Sequence, residues 1–186
     1  MNNRQVLKYI RSDVYRYRGN ASTGTLLKCF LLNPNLRFQM AFRCCKGKGV
    51  VRLFGRLLYG FSRTKRRIVL PRQTQVGYGL YIGHGGPIVI SPSAVIGNNV
   101  NLSQFTTIGS NHDKAATIGD CTYIGPNVCI VEDVVIGRNV TIGAGAVVTK
   151  DIPDDATAVG NYARVINYND PGRYTKNNRW MDTADD

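Results

Sequence analysis

Branched aliphatic residues return every six positions through the second half of this chain: Val76, Ile82, Ile90, Ile96, Leu102, Ile108, Ile118, Ile124, Ile130, Ile136, Ile142 and Val148. Only two steps break the period, eight residues from Ile82 to Ile90 and ten from Ile108 to Ile118. Glycine follows the aliphatic residue at positions 77, 83, 97, 109, 119, 125, 137 and 143. A small or β-branched residue stands four after it at Val100, Thr106, Thr122, Val128, Val134, Val140 and Ala146. An α-helix cannot use such a pattern, because a 3.6-residue period would scatter the aliphatics around the cylinder and each interior glycine would cost roughly 1 kcal/mol against alanine. Short parallel strands with tight corners can use it: β-branched side chains line an interior, while Gly and the asparagines Asn98, Asn99, Asn127 and Asn139 tolerate the corner backbone. Three six-residue units per coil then stack into a triangular parallel β-helix, each coil burying its aliphatics against the next.

The β-helix is expected over residues 76–166, and the chain ahead of it has a different texture. Residues 1–75 hold 17 Lys or Arg against the single acid Asp13, whereas residues 76–186 hold 7 against 11, so a domain boundary is drawn near residue 75. Residues 3–18 and 35–62 are rich in Leu, Phe, Arg and Lys, with breaks at Asn33, Pro34 and Gly47 to Gly49. They predict an N-terminal α-helical region of two or three basic amphipathic helices. Residues 167–186 carry no periodic signal and read as a tail without regular structure.

Composition then narrows the function classes. No apolar run reaches the roughly eighteen residues of a spanning helix, and MNNRQVLKYIRSD lacks the apolar stretch of a secretion signal, so a cytoplasmic chain is expected. The odd set Cys29, Cys44, Cys45, Cys121 and Cys129 has no repeated spacing. It points to reduced thiols, with Cys44 and Cys45 as small fillers in a helix. The run RTKRR at residues 63–67 suggests nucleic-acid binding, but no nucleic-acid module accompanies it and none is expected. The basic, Phe- and Leu-bearing stretch 36–67 admits another use, peripheral contact with an anionic membrane surface or a diphosphate-linked sugar carrier; the alternative is a solvated face packed on a neighbour.

The two histidines, His84 and His112, each fall in one of the two insertions that interrupt the repeat. An insertion pushes a loop outward, where a side chain can meet a ligand. His84 lies in GHGGP, between Gly83 and Gly85, and a neutral imidazole with an ordinary pKa near ~6.5 is suited to taking a proton from a hydroxyl. The chain has no G-x-S-x-G elbow, and no Cys stands beside a His. Backbone N–H groups of Gly83 to Gly86 are candidate oxyanion donors, and Asp13 and Glu132 are candidate carboxylates to orient His84. Two histidines are too few for a three-histidine zinc site, so no metal is expected.

From Val76 to about Ile166 the strings VGYGLYIGHGGPIVISPSAVIGNNV, LSQFTTIG, ATIGDCTYIGPNV, VVIGRNVTIGAGAVVTKDIP and AVGNYARVI resemble the serine acetyltransferase branch of the hexapeptide acyltransferases, especially the related enzymes that acetylate polysaccharide precursors. The resemblance implies a left-handed β-helix, a homotrimer, acetyl-CoA bound in a groove between neighbours, and His84 as general base. It places the pantetheine arm near Pro126, Thr141 and Ala144, with Lys150 and Arg164 toward the phosphates. Three departures bear on the acceptor. The family's Asp before the catalytic His is Gly83 here, its second His falls at Ala115 with His112 out of register, and a helical-region Asp falls near Asn20 or Ala21. Without those groups a serine ammonium has no evident partner, and a desolvated unpaired charge is costly. The sequence therefore favours a sugar hydroxyl as acceptor, with serine as the alternative.

Overall fold

The computed structural model describes residues 1–111 and 114–182. Four helices come first: α1 (Asn3–Arg18), α2 (Thr23–Leu32), α3 (Pro34–Cys45) and α4 (Gly49–Arg66). A capping box opens α1, with the Asn2 side chain accepting from the Gln5 N–H and the Gln5 side chain accepting from the Asn2 N–H. Asn33 closes α2 and caps α3, accepting from the N–H groups of Asn35 and Leu36, with Pro34 in the first turn. The break expected there is thus a helix boundary, although α2 lies outside the two predicted ranges. Residues 46–48 separate α3 from α4, and the two helices approach so closely that a Cβ on Gly55 would stand 2.6 Å from the Cys44 carbonyl carbon.

Beyond Arg66 the chain coils. The strands are β1 (Ile68–Val69), β2 (Gln75–Val76), β3 (Tyr81–Ile82), β4 (Ile88–Ile90), β5 (Val95–Ile96), β6 (Asn101–Leu102), β7 (Thr107–Ile108), β8 (Thr117–Ile118), β9 (Tyr123–Ile124), β10 (Cys129–Ile130), β11 (Val135–Ile136), β12 (Thr141–Ile142), β13 (Val147–Val148), β14 (Thr157–Val159) and β15 (Arg164–Asn167). They form three sheets, in the orders β1-β4-β7-β10-β13, β11-β8-β5-β2 and β15-β14-β12-β9-β6-β3. Every pairing is parallel except β14 with β15. Each aliphatic residue of the six-residue period ends or nearly ends a strand, so Ile82, Leu102, Ile124 and Ile142 stack up one interior wall, all within 1% of full burial. Burial of such a side chain contributes about 1.5–3 kcal/mol, so the column is the main support of the coil. Strand pairing already begins at Ile68, ahead of residue 75.

The corners behave as the asparagines predict at Asn99, Asn127 and Asn139, each with φ between 54° and 57°. Phe105 and Cys121 adopt the same left-handed backbone without any local preference for it. Hydrogen bonds from coil to coil hold them there: the Cys121 N–H donates to the Asn98 carbonyl at 2.7 Å and the Phe105 N–H to the Pro87 carbonyl at 2.6 Å.

The helical region closes the first coil through buried polar contacts. Arg43 donates to both Asp13 oxygens at 2.8 and 2.9 Å and to the carbonyls of Val76 and Gly77 at 2.8 and 2.7 Å. Asp13 also accepts from the Leu80 N–H at 2.8 Å. Burial pushes the Asp13 carboxyl above its ordinary range, against the opposing pull of Arg43. The structure also corrects the expectation of a tail without order. After β15 the chain makes a short 3₁₀ turn (Arg173–Thr175) and returns across the coils. Thr175 is buried and donates to the Cys121 carbonyl, the Asn101 amide donates to Tyr174, and Asn99 exchanges two bonds with Trp180. Periodicity could not reveal this segment, because single polar contacts with distant residues hold it.

Candidate active site

His84 leaves the coil between β3 and β4, on the two-residue insertion, and its imidazole is exposed. A cavity of about 160 Å³ opens beside it, lined by Tyr81, Gly83, His84, Asn101, Leu102, Ser103, Gln104, Tyr123 and Pro126. The walls come from three successive coils: Tyr81, Asn101 and Tyr123 are neighbours in the ladder β3-β6-β9, and their inward partners are the stacked aliphatics. The corner residues stack in the same way. The Asn127 N–H donates to the Gln104 carbonyl at 3.1 Å, and the Gly145 N–H to the Pro126 carbonyl at 2.8 Å. A continuous edge therefore runs from His84 past Gln104 and Pro126 to Ala144. Neighbouring strands are about 4.8 Å apart, so the three rungs from β3 to β12 span about 14 Å.

Of the residues singled out from sequence, Gly83, His84 and Pro126 meet in the cavity. Thr141 lies one rung beyond Tyr123, and its buried hydroxyl has no hydrogen-bond partner. Ala144 is exposed at the corner after β12, Lys150 is exposed two residues past β13, and Arg164 is exposed at the start of β15. Gly85 follows His84 outward and lies against Arg66. His112 lies outside the described residues.

Asp13 is a correction: its oxygens are taken by Arg43 and the Leu80 N–H, inside the contact between helices and coil, so it does not orient His84. Its lone position in a basic region marks the partner of a buried cation. Glu132 accepts from the Asn111 N–H at 2.6 Å and does not line the cavity. Among the described residues no carboxylate is bonded to His84, and no group of three or more His, Cys, Asp or Glu could hold a metal ion.

The helices also hold this loop, through contacts that carry no signal in the sequence. The Tyr17 hydroxyl donates to the Ile82 carbonyl at 2.7 Å and accepts from the Ile82 N–H at 2.9 Å, and the Asn35 amide also donates to that carbonyl at 3.3 Å. Arg66, in the last turn of α4, donates to the Asn35 side chain at 2.6 Å and packs so tightly over Gly85 that a Cβ there would collide with its guanidinium. A fixed cation thus lies next to the histidine loop. Gln104 adds a buried side-chain oxygen without a partner. Tyr81 fills the space beside Gly83, where a Cβ would meet its ring at 2.7 Å. Tyr81, Asn101 and Tyr123 share the position just before an aliphatic residue, so the period did contain a signal for their common face; the Arg66 contact left none.

A family model described as bacterial transferase hexapeptide, six repeats, matches residues 115–150. The mitochondrial serine acetyltransferase 3 of Arabidopsis thaliana is 41% identical over 96 residues, which cover 50% of this chain and 25% of that protein. The serine acetyltransferase of Helicobacter pylori is 29% identical over 142 residues, covering 73% of this chain and 83% of that one. Among solved structures, the Neisseria gonorrhoeae serine acetyltransferase superposes with a TM-score of 0.73 at 27% identity, covering 89% of this chain and 68% of that chain. Residues 115–150 thus carry the hexapeptide transferase repeat, and the relatives and solved structures that the chain resembles are serine acetyltransferases. The soybean serine acetyltransferase, at a TM-score of 0.74 and 24% identity over 88% of this chain and 70% of that one, bears out the left-handed β-helix. This hexapeptide-repeat chain spans only a quarter of the Arabidopsis protein and 47% of a Synechococcus elongatus serine acetyltransferase.

Proposed function

We propose that this chain is an acetyl-CoA-dependent O-acetyltransferase with His84 as its general base and serine as the first acceptor to test. The observation that carries the reading is the placement of His84 and Pro126 on one cavity at the head of a corner edge leading to Ala144. Structures of serine acetyltransferases in complex with CoA share the fold. In the reaction, the acceptor hydroxyl gives its proton to the His84 imidazole as its oxygen attacks the thioester carbonyl. Collapse of the tetrahedral intermediate releases the CoA thiolate, and the imidazolium returns the proton to sulfur, leaving an O-acetyl ester and free CoA. Pro126, Thr141 and Ala144 border the pantetheine path, with Lys150 and Arg164 toward the phosphates. The exposed face of His84 leaves room for a neighbouring copy to complete the groove, in a homotrimer that light scattering on the purified protein would test.

The relatives named above are serine acetyltransferases, and none of their names mentions a sugar, so they back serine over the sugar that the sequence favours. Arg66 suits the carboxylate of such an acceptor, and the Gln104 oxygen suits a donor N–H. A sugar hydroxyl is the second reading, supported by a cavity lined by two tyrosines, neutral amides and a serine, with no carboxylate for an ammonium among the described residues. Thiol release from acetyl-CoA, with L-serine, simple sugars and nucleotide-linked sugars as acceptors, separates the two. Loss of the base should lower turnover roughly 10²–10⁴-fold in His84→Ala. Undiminished turnover in that variant would remove His84 from the mechanism.

A further inference from the structure

α4 carries two apolar faces, and only one of them is used. Val51, Gly55, Leu58, Tyr59 and Ser62 turn inward, with Gly55 against α3, while Val50, Leu53, Phe54, Leu57 and Phe61 form a second stripe at helical spacing that faces out. Val50 is 81% exposed, Leu57 70% and Phe61 61%. Between the two faces runs a basic ridge of Arg52, Arg56 and Arg63. A concavity of about 340 Å³ opens at the end of this ridge, between the second half of α4 and the loop after β1. It is lined by Arg56, Tyr59, Gly60, Arg63, Thr64 and Arg72. Gly60 and Thr64 stand three residues after Leu57 and Phe61, so the concavity borders the exposed stripe. Among the described residues none of the three arginines has an ion-pair partner, and residues 46–75 contain no acid at all.

We propose that this face of α4 docks on an anionic membrane surface, with the Arg56, Arg63 and Arg72 concavity taking a lipid headgroup phosphate and the Leu53, Leu57 and Phe61 stripe resting in the acyl boundary. Charge complementarity selects this occupant. A second copy meeting the face symmetrically would set arginine ridge against arginine ridge, whereas a phosphate surface supplies the missing counter-charge and a place for the apolar side chains. Three arginines converging on one concavity suit phosphate, because guanidinium groups offer parallel N–H donors to its oxygens. No described helix is long and apolar enough to cross a membrane, so the contact is with the surface. It concerns a face of α4 separate from the His84 cavity and stands independently of the proposed reaction.

The test is sedimentation of the full chain with vesicles of phosphatidylcholine alone and of phosphatidylcholine mixed with phosphatidylglycerol. Binding should require the anionic lipid and weaken as salt rises. Each basic residue near such a surface strengthens binding roughly five-fold, so Arg56→Gln, Arg63→Gln and Arg72→Gln together should weaken it about 100-fold. Leu57→Ser with Phe61→Ser should also weaken it, and all five positions are exposed, so circular dichroism should match the parent. Absence of binding to the mixed vesicles would overturn the proposal, as would equal binding to phosphatidylcholine alone or undiminished binding by the arginine variant. A stripe variant that changes the oligomer mass in light scattering while leaving vesicle binding intact would assign the face to a second copy instead.

Discussion

Replacing Asp13 by alanine should loosen the whole contact between helices and coil. The substitution removes two bonds from Arg43 and one from the Leu80 N–H, and it strands a guanidinium whose side chain is 2% exposed. Hydrogen bonds to a charged group contribute about 1.5–3 kcal/mol each, which sets an upper range of about 4.5–9 kcal/mol. Arg43 keeps the Val76 and Gly77 carbonyls, and they offset part of that loss. The expected destabilisation is about 3–5 kcal/mol, the range for a buried ion pair that loses one partner. A domain of this size has only about 5–15 kcal/mol to lose, so urea denaturation followed by circular dichroism should show a large fall in midpoint. Asp13→Leu with Arg43→Met removes both charges and should recover part of the loss. Recovery stays incomplete because the two carbonyls and the Leu80 N–H then lack partners, each at about 1–3 kcal/mol. A shift below about 1 kcal/mol in Asp13→Ala would show that the ion pair does not hold the helices to the first coil.

Gly85→Ala places a methyl group where the Arg66 guanidinium lies, so the proposed acetyl transfer should fall at least about tenfold while the fold persists; unchanged kinetics would remove Arg66 from the neighbourhood of the reaction. Burial first, and then the neighbouring Cys45, push the Cys44 thiol up to about 11, which leaves about one thousandth as thiolate at pH 8. Iodoacetamide should therefore label exposed Cys129 well before Cys44, with Cys44 labelling accelerating as pH rises toward 11; mass spectrometry of equally fast labelling would contradict this. Deleting the chain from Asp170 onward removes the partners of Asn99, Asn101 and the Cys121 carbonyl, and should cost at least about 2 kcal/mol in the same urea assay. Because Asn101 and Tyr123 line the cavity and Tyr174 packs on Tyr123 at 4.5 Å between ring centroids, the deletion should also raise the acceptor KM; wild-type KM would place the tail outside acceptor binding.

The six-residue period by itself determined the coil, its inward aliphatics and the places where it is interrupted, because each stacked rung reads only its own local pattern. It therefore also pointed to His84, which leaves the repeat where an insertion allows. The asparagine corners were legible for the same reason, since a left-handed backbone has a residue preference. Phe105 and Cys121 at equivalent corners were not, because bonds from the adjacent coils impose their conformation. Only the tertiary structure decided what stands beside His84. Tyr17, Asn35 and Arg66 reach Ile82 and Gly85 in its loop from three different helices, and Asp13, a candidate carboxylate to orient His84, is held by Arg43 thirty residues away. The tail was hidden for the same physical reason. Contacts made by single side chains between remote segments leave no periodic trace in a sequence, whereas a stack of equivalent coils repeats its own requirements at every turn.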